Sequence, residues 1–187
     1  MTMNRREIML AGTALWLAGQ PQPVPAMGPE DASSAGARAF DFLHGAWKVT
    51  HRKRRKRLAG DNDWFSFPGD LTVSPILAGL GNFDDNRLAD PGGAYQAHSL
   101  RIFNPATGLW SIWWLDSRFP ALDAPVVGRF DGAKGSFFVD DNLDGRPIHV
   151  RTTYEPLSDR TAQWTQAFSP DAGASWEVNW IMDFTRA

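Results

Sequence analysis

Apolar and polar residues alternate along most of the chain beyond residue 47, and this pattern predicts β-strands. Residues 109–116 and 176–184 show the alternation most clearly. In the second segment every other residue is apolar: Trp176, Val178, Trp180, Met182 and Phe184. A period of two residues places such side chains on one face of a strand. Beyond residue 47 no window keeps the period of a helix, and one helical turn is predicted before it, over residues 38–43.

Turn sequences separate the predicted strands at short intervals. They are rich in Gly, Pro, Asp and Asn, as in residues 104–108, 131–135, 142–145 and 169–173. Strands joined by such turns predict an all-β fold, an antiparallel up-and-down β-barrel of roughly eight to ten strands. Closure is expected because it removes the unpaired strand edges, and a barrel of this size has room for one small ligand.

The aromatic content suggests that large flat side chains line the inside of this barrel. The chain has 187 residues, with 9 Trp and 12 Phe but only 2 Tyr. Its length predicts a single domain, and 43% apolar residues suffice for one sizeable core. Cys is absent, which excludes disulfide bonds and a thiol nucleophile.

The first 26 residues resemble a secretory signal peptide. Arg5 and Arg6 precede an apolar run over residues 8–19, and a small-residue cleavage site follows. Paired arginines are typical of the twin-arginine pathway, so we expect a periplasmic or secreted protein. The alternative is an N-terminal membrane anchor, but the run is shorter than the roughly 20 residues that a bilayer requires.

Three segments follow from this interpretation. Residues 1–26 are the predicted signal peptide, residues 27–39 a small-residue leader that we expect to be disordered, and residues 40–187 the barrel domain. We therefore expect no integral membrane span after processing.

The segment FDFLHGAWKVT, residues 40–50, resembles the entry to the first strand of the calycins, which include lipocalins and fatty-acid-binding proteins. In those families a Gly-x-Trp sequence enters the first strand, the Trp closes the base of the barrel, and an Arg from a late strand covers its indole. The resemblance implies that Gly45 and Trp47 form this signature and that Arg186 is the covering Arg.

Three longer segments extend the resemblance over nearly all of residues 40–187. They are RIFNPATGLWSIWWLDSR, PVVGRFDGAKGSFFVDD and QAFSPDAGASWEVNWIMDFTR. Together they are similar to an uncharacterised bacterial lipocalin-like family of unknown function. This resemblance implies a barrel, and it implies neither a particular reaction nor a particular ligand.

Six consecutive cationic residues, 52–57, lie in and after the first predicted strand. Side chains alternate sides along a strand, so with Trp47 facing inward, Lys53, Arg55 and Arg57 are predicted to face the lumen near its open end. Three interpretations stay open: a solvated strand end, a positive rim that attracts an anionic ligand, and a membrane or polyanion surface. We expect no nucleic-acid binding, because the run is isolated in a chain of net charge -2.

Two loop motifs resemble known sites. Residues 169–176, SPDAGASW, fit the Asp-box of sialidase-type propellers, but the motif occurs once, so a hairpin stabilised by Asp171 is the simpler interpretation. Residues 140–145, DDNLDG, fit the first half of a calcium loop, but the twelfth position is Arg151 instead of Glu. A polar hairpin tip is favoured there, and no metal site is predicted.

The four His residues are well separated and lack the spacing of metal ligands. Nitrobindin-type calycins bind haem through a His inside the barrel, and His98 or His149 are the candidates for that role here. Structural or surface roles are the simpler interpretation, so no cofactor is predicted. No Ser lies in a G-x-S-x-G elbow and no carboxylate pairing is evident, so catalytic residues are not identified.

We interpret the chain as an exported lipocalin-like barrel that binds a small apolar or amphipathic, potentially anionic, molecule. The candidate ligand-binding residues are Lys53, Arg55, Arg57, His98, Trp113 and His149. The first alternative is an isomerase, lyase or hydrolase that acts on an apolar substrate in the same barrel. The second is a structural or surface-interaction protein whose barrel is filled by its own side chains. Ionisable groups converging deep in the pocket would favour an enzyme over a carrier.

Overall fold

A computed structural model describes residues 35–187, which form a closed ten-stranded antiparallel β-barrel. This confirms the predicted all-β fold, with the strand count at the upper end of the predicted range. The predicted signal peptide and residues 27–34 lie outside the described residues. The strands are β1 (Gly45–Arg54), β2 (Trp64–Ile76), β3 (Gly81–Leu88), β4 (Tyr95–Asn104), β5 (Leu109–Asp116), β6 (Val126–Asp131), β7 (Lys134–Leu143), β8 (Arg146–Ser158), β9 (Thr161–Ser169) and β10 (Glu177–Arg186).

Each strand pairs with its neighbours in sequence, and β1 closes the barrel by pairing with β10. Two 3-10 helices accompany the strands, Asp41–Leu43 before β1 and Leu77–Gly79 between β2 and β3. Within residues 35–187 no helix is both long and apolar enough to cross a membrane.

Trp47 and Arg186 join the first and last strands at the closed end of the barrel. The two residues are paired across β1 and β10, and the Arg186 guanidinium lies 3.9 Å from the centroid of the Trp47 ring system. Arg186 also donates hydrogen bonds to the carbonyls of Phe42 (2.7 Å) and His44, which fixes the 3-10 helix below the barrel. Trp47 Nε1 donates to the Leu43 carbonyl at 2.7 Å.

Gly45 is required by this arrangement. Its φ of +103° lies in a region that L-residues rarely adopt, and a Cβ would lie 2.9 Å from Arg186 Nη1. The Gly-x-Trp sequence therefore makes room for the guanidinium that covers Trp47.

An aromatic core fills the closed end. The Phe40 ring meets Trp110 and Phe130 at 4.8 Å and Tyr154 at 5.0 Å in edge-to-face contacts. Residues 35–39, assigned by sequence to the leader, form turns here: Ala37 is buried, and Trp110 Nε1 donates to the Gly36 carbonyl at 3.0 Å. This half of the lumen is thus filled by the chain itself.

The open end, here called the mouth, is the end of the barrel that carries the β1–β2, β3–β4, β5–β6, β7–β8 and β9–β10 connections. The alternation along β1 buries Trp47, Val49, His51 and Lys53. The strand ends at Arg54 and residues 55–60 form a bend, with Leu58 and Gly60 at positive φ. The expected inward alternation therefore stops at Lys53, and Arg55 and Arg57 lie on the bend at the mouth.

The two loop motifs are both hairpin connections in the structure. Asp171 accepts hydrogen bonds from the Ser175 amide, the Ser175 hydroxyl and the Ser169 hydroxyl, and these bonds lower the pKa of its carboxyl to about 2. Residues 144 and 145 form the tight β7–β8 turn, both with positive φ. Residues 35–187 contain no group of His, Asp or Glu side chains arranged to hold a metal ion.

Candidate functional site

A cavity of about 470 Å³ occupies the lumen between the aromatic core and the mouth. Six of the aromatic side chains that line it are Phe65, Trp114, Trp164, Phe168, Trp180 and Phe184. Six cationic side chains also line it: Lys53, Arg54, Arg55, Arg57, Arg101 and Arg118. Four carboxylates oppose them: Asp84, Asp90, Asp123 and Asp141. The closed end of the barrel is filled by its own residues, and this cavity remains above it. Five of the six cations pair with carboxylates, so Arg57 is the lining cation without an ion pair within residues 35–187.

A buried ion pair lies at the floor of the cavity. Arg101 on β4 donates from Nη2 to Asp84 Oδ2 on β3 at 2.6 Å, and from Nη1 to Asn82 Oδ1 at 2.9 Å. Asp84 Oδ1 accepts from the Ser99 amide at 2.7 Å. The strands place these groups together because Asn82 and Arg101 are directly paired in the β3–β4 register.

Tyr154 connects this pair to the opposite wall. Arg101 Nη2 lies 3.1 Å from Tyr154 Oη, and β8 faces β4 and β3 across the lumen in the strand order. Burial would lower the pKa of Arg101, but the interactions with Tyr154 and Asp84 outweigh it and raise that pKa above its ordinary value. Burial raises the pKa of Tyr154 as well. Both groups therefore keep their protons across the physiological range.

Three buried polar atoms on the cavity wall have no hydrogen-bond partner among the described residues. They are Arg101 Nε, Asn86 Oδ1 and Thr152 Oγ1, one donor, one acceptor and one hydroxyl. A buried polar group without a partner costs about 1–3 kcal/mol, so native proteins seldom retain several together. These three atoms are buried beneath the surface of the cavity.

Lys53 is the cationic group held inside the upper wall. Its side chain is 9% exposed, and Nζ donates to Tyr95 Oη at 2.9 Å and to Asp90 Oδ2 at 3.4 Å. Nζ also lies 3.9 Å from the ring centroid of Trp180 and 5.1 Å from that of Phe67. Burial lowers the pKa of Lys53 to about 8, against the opposing effect of Asp90.

His51 lies one inward position below Lys53 and is fully buried. Its ring stacks on Phe67 at 4.7 Å, and its Nδ1 accepts from Trp180 Nε1 at 3.3 Å. Burial, with the positive charge of Lys53, lowers the pKa of His51 to about 3, so the ring is neutral. A Cβ at Gly69 would lie 2.6 Å from His51 Nε2, so the absence of a side chain there admits the imidazole.

Arg118 covers the mouth side of Tyr95. Its guanidinium lies 3.5 Å from the ring centroid and forms a forked pair with Asp116 through Nε and Nη2. The hydrogen bond to Asp116 raises the pKa of Arg118. Arg118 belongs to the β5–β6 connection, so this contact joins the connection to Tyr95, the hydrogen-bond partner of Lys53.

The structure brings three of the predicted ligand-binding residues to the cavity. Lys53 is on the inner wall, whereas Arg55 and Arg57 border the mouth. Arg55 pairs with Asp63 at 2.9 Å, both groups being exposed. Arg57 has no ion pair within residues 35–187, and its guanidinium lies 5.8 Å from the Phe168 ring centroid.

The other three predicted residues do not line the cavity. His98 stacks on the exposed Phe83, Trp113 alternates with the inward Ile112 and Trp114, and His149 pairs with Asp140. Each occupies an outward position of its strand, because the residues on either side of it in the sequence are the ones that face inward or line the lumen. Neither His98 nor His149 can therefore reach a haem in this lumen.

The floor residues were not among the sequence-based candidates. A signal for them exists in β3, where alternate positions read Asn82, Asp84, Asn86 and Leu88, all buried. An alternating polar face normally indicates the solvent side of a strand. Only the apolar Leu88 on the same face indicates that this row points inward.

The fold and the cavity together define a class of protein, a closed ten-stranded antiparallel β-barrel with a lumen open at one end. A solved structure with similar architecture is the crystal structure of Rv2717c from M. tuberculosis, with a TM-score of 0.53. The two chains share 10% sequence identity over 82% of this chain and 98% of that chain, so the likeness concerns the fold alone. No family model and no curated protein matches the chain.

Proposed function

We propose that this protein binds a small amphipathic molecule with an anionic head in the barrel lumen. The observation that carries the proposal is the cavity itself, in which aromatic side chains are combined with Arg57, a cation at the mouth that has no ion pair within residues 35–187. A lumen that served only as a packed core would not have this space.

The two parts of such a ligand contribute in different ways. The apolar body gains about 25 cal/mol for each Å² removed from water against the aromatic wall. A hydrated cationic contact at the mouth adds about 1 kcal/mol and weakens with salt. Affinity then depends mainly on the wall, and selection of anionic molecules depends on the cations.

Arg57 is the cation at the mouth best suited to test the head-group contact. Arg55 is paired with Asp63, and Lys53 with Asp90, whereas Arg57 has no such partner within residues 35–187. Its neighbour Phe168 belongs to the cavity wall.

We also propose that the protein acts outside the cytoplasm. This part rests on the sequence of residues 1–26, with its paired arginines, apolar run and small-residue site. A barrel without Cys folds without disulfide bonds, which is compatible with export of an already folded domain.

Catalysis in the same lumen is the second candidate function, and the floor cluster is the observation that favours it. Arg101, Asp84 and Tyr154 converge deep in the cavity, as expected for an enzyme. The raised pKa values of Arg101 and Tyr154 keep both groups protonated, so they can orient a substrate but do not exchange protons near neutral pH. Binding is therefore the function that the cluster supports better.

The test compares decanoic acid and 2-naphthoic acid with their methyl esters, titrated by intrinsic Trp fluorescence at low and high salt. We expect each acid to bind about fivefold more tightly than its ester at low salt, with a smaller difference at high salt. Arg57→Ala should weaken binding of the acids several-fold and leave the esters unchanged. Arg129→Ala, an exposed residue on the outer face of β6, is the matched control and should change neither.

Equal binding of acid and ester at both salt concentrations, with no effect of Arg57→Ala, would contradict recognition of an anionic head. Absence of saturable binding by all four molecules would overturn the binding function as a whole.

A further inference from the structure

Lys53 is unusual among the lysines of this chain because it lies in a cavity wall. The other three lysines, Lys48, Lys56 and Lys134, are exposed. Lys48 pairs with Asp70 and Lys134 with Glu155 on the outer surface. Lys53 instead faces the space that we assign to a ligand, beside Tyr95, Asp90 and the ring of Trp180.

We propose that Lys53 forms a reversible imine with aldehydes whose apolar body enters the lumen. This inference rests on the proposed function only in that the cavity must admit a small apolar molecule. It adds a covalent step and a chemical class of ligand, a carbonyl compound, that non-covalent binding does not require.

The step balances with groups that the site holds. The Lys53 ammonium passes a proton to the Asp90 carboxylate, and the free amine attacks the carbonyl carbon to form a C–N bond and a carbinolamine. The carbinolamine loses its hydroxyl as water when a proton returns, leaving a protonated imine. Overall one ammonium and one aldehyde give one iminium and one water, with no net gain of protons and no redox change.

Each group next to Lys53 Nζ can assist one stage of imine formation. Asp90 at 3.4 Å is the nearest carboxylate and becomes the counter-ion of the iminium. Tyr95 Oη at 2.9 Å is a neutral hydroxyl, because burial raises its pKa to about 12, and it is placed to donate to the departing oxygen. Trp180 and Phe67 exclude water from the iminium and so slow its hydrolysis.

The charges around Lys53 favour the free amine near neutral pH. Burial, together with the positive charges of Arg118 and Arg57, lowers the pKa of Lys53 to about 8, while Asp90 opposes the change and the neighbouring His51 is neutral. At pH 7 about a tenth of Lys53 is then unprotonated, against fewer than about one in a thousand for a lysine with the ordinary pKa near 10.4.

The experiment treats the protein at pH 7 with cinnamaldehyde and cyanoborohydride, which converts an imine into a stable secondary amine. Each adduct adds the mass of the aldehyde less one oxygen atom, and peptide mapping identifies the lysine. We expect Lys53 to be labelled at least tenfold faster than Lys48, Lys56 or Lys134. Cinnamyl alcohol in excess, which has the same body but no carbonyl, should protect Lys53 alone.

Two variants sharpen the result. Lys53→Met replaces the lysine with an unbranched apolar side chain and should abolish the fast adduct. Lys56→Arg should leave the fast adduct unchanged. Labelling distributed equally over the four lysines, or a fast adduct that survives in Lys53→Met, would overturn the proposal.

Fluorescence titration with cinnamyl alcohol separates the two hypotheses. Saturable quenching without fast labelling of Lys53 would contradict the imine and leave binding in the lumen standing. Absence of fast labelling and of binding by cinnamyl alcohol, with saturable binding of 2-naphthoic acid retained, would contradict the imine alone. Absence of binding by 2-naphthoic acid as well would contradict the imine together with the proposed function.

Discussion

The run of six cations is largely neutralised by single carboxylates on other parts of the barrel. Arg52 pairs with Asp183 at 3.0 Å, Lys53 with Asp90 and Arg55 with Asp63. Arg54 pairs with Glu177 at 4.0 Å and also donates to the Val178 carbonyl at 2.8 Å. Only Lys56 and Arg57 have no ion pair within residues 35–187, so what reads as a strongly basic segment contributes little free charge to the surface.

Replacing Trp47 tests the closed end at the level of one residue. Trp47→Ala removes a buried ring covered by Arg186 and loses the hydrogen bond to Leu43, so we expect a loss of about 3–5 kcal/mol in the free energy of unfolding. Equilibrium denaturation measures the change, and Trp113→Ala on the outer face is the control, with a smaller expected loss. A loss below about 1 kcal/mol for Trp47→Ala would contradict its role in closing the barrel.

At the scale of the element, β3 carries opposite environments on its two faces. Asp84 is buried in the ion pair with Arg101, whereas its neighbour Asp85 faces outward and accepts from Gln96 Nε2 at 2.8 Å. The same residue type at adjacent positions therefore has different energetic roles, because strand geometry turns successive side chains to opposite sides.

This contrast gives a matched pair of variants. Asp84→Asn keeps the size of the side chain but leaves Arg101 as an uncompensated buried charge, and we expect a loss of about 3–5 kcal/mol. Asp85→Asn should cost less than about 1 kcal/mol. Denaturant unfolding measures the free energy of unfolding of both variants. Equal values for Asp84→Asn and Asp85→Asn would mean that the Arg101–Asp84 pair does not hold β3 and β4 together.

The barrel could be predicted from the sequence because alternation and turn residues are local signals. The inward positions of Trp47 and Lys53 follow from the same alternation. The alternation could not place Arg55 and Arg57, because the residue at which β1 ends depends on pairing with other strands. The polar groups around Arg101 were missed for a related reason. Asp84 on β3 accepts a hydrogen bond from Arg101 on β4, which also contacts Tyr154 on β8, and sequence spacing does not reveal these partners.

At the scale of the whole molecule, the two ends of the barrel have different chemistry. The closed end is an aromatic core tied by Arg186, and the open end carries the cavity and the charged turns. Among the described residues, the cavity is bordered by the connections at the mouth. Variants at the closed end should change stability and leave ligand selection unaltered.

The proposed export concerns the whole chain, and its test lies in residues 1–26. Arg5→Lys combined with Arg6→Lys should leave the precursor in the cytoplasm, because the paired arginines are the recognition signal of the twin-arginine pathway. Cell fractionation measures the distribution, and Arg38→Lys, a conservative change at an exposed position outside the predicted signal peptide, is the control. An unchanged periplasmic yield from the double variant would contradict this route.

The pairing of β1 with β10 has a consequence for folding kinetics. All other strand pairings within residues 35–187 join neighbours in sequence and can form as the polypeptide leaves the ribosome, but residues 47–53 must wait for residues 180–186. Joining them closes a loop of more than a hundred residues, so this contact has a high entropic cost and is expected to form late. Until then both strands have unpaired edges, and the nearly complete meander is the species most exposed to aggregation.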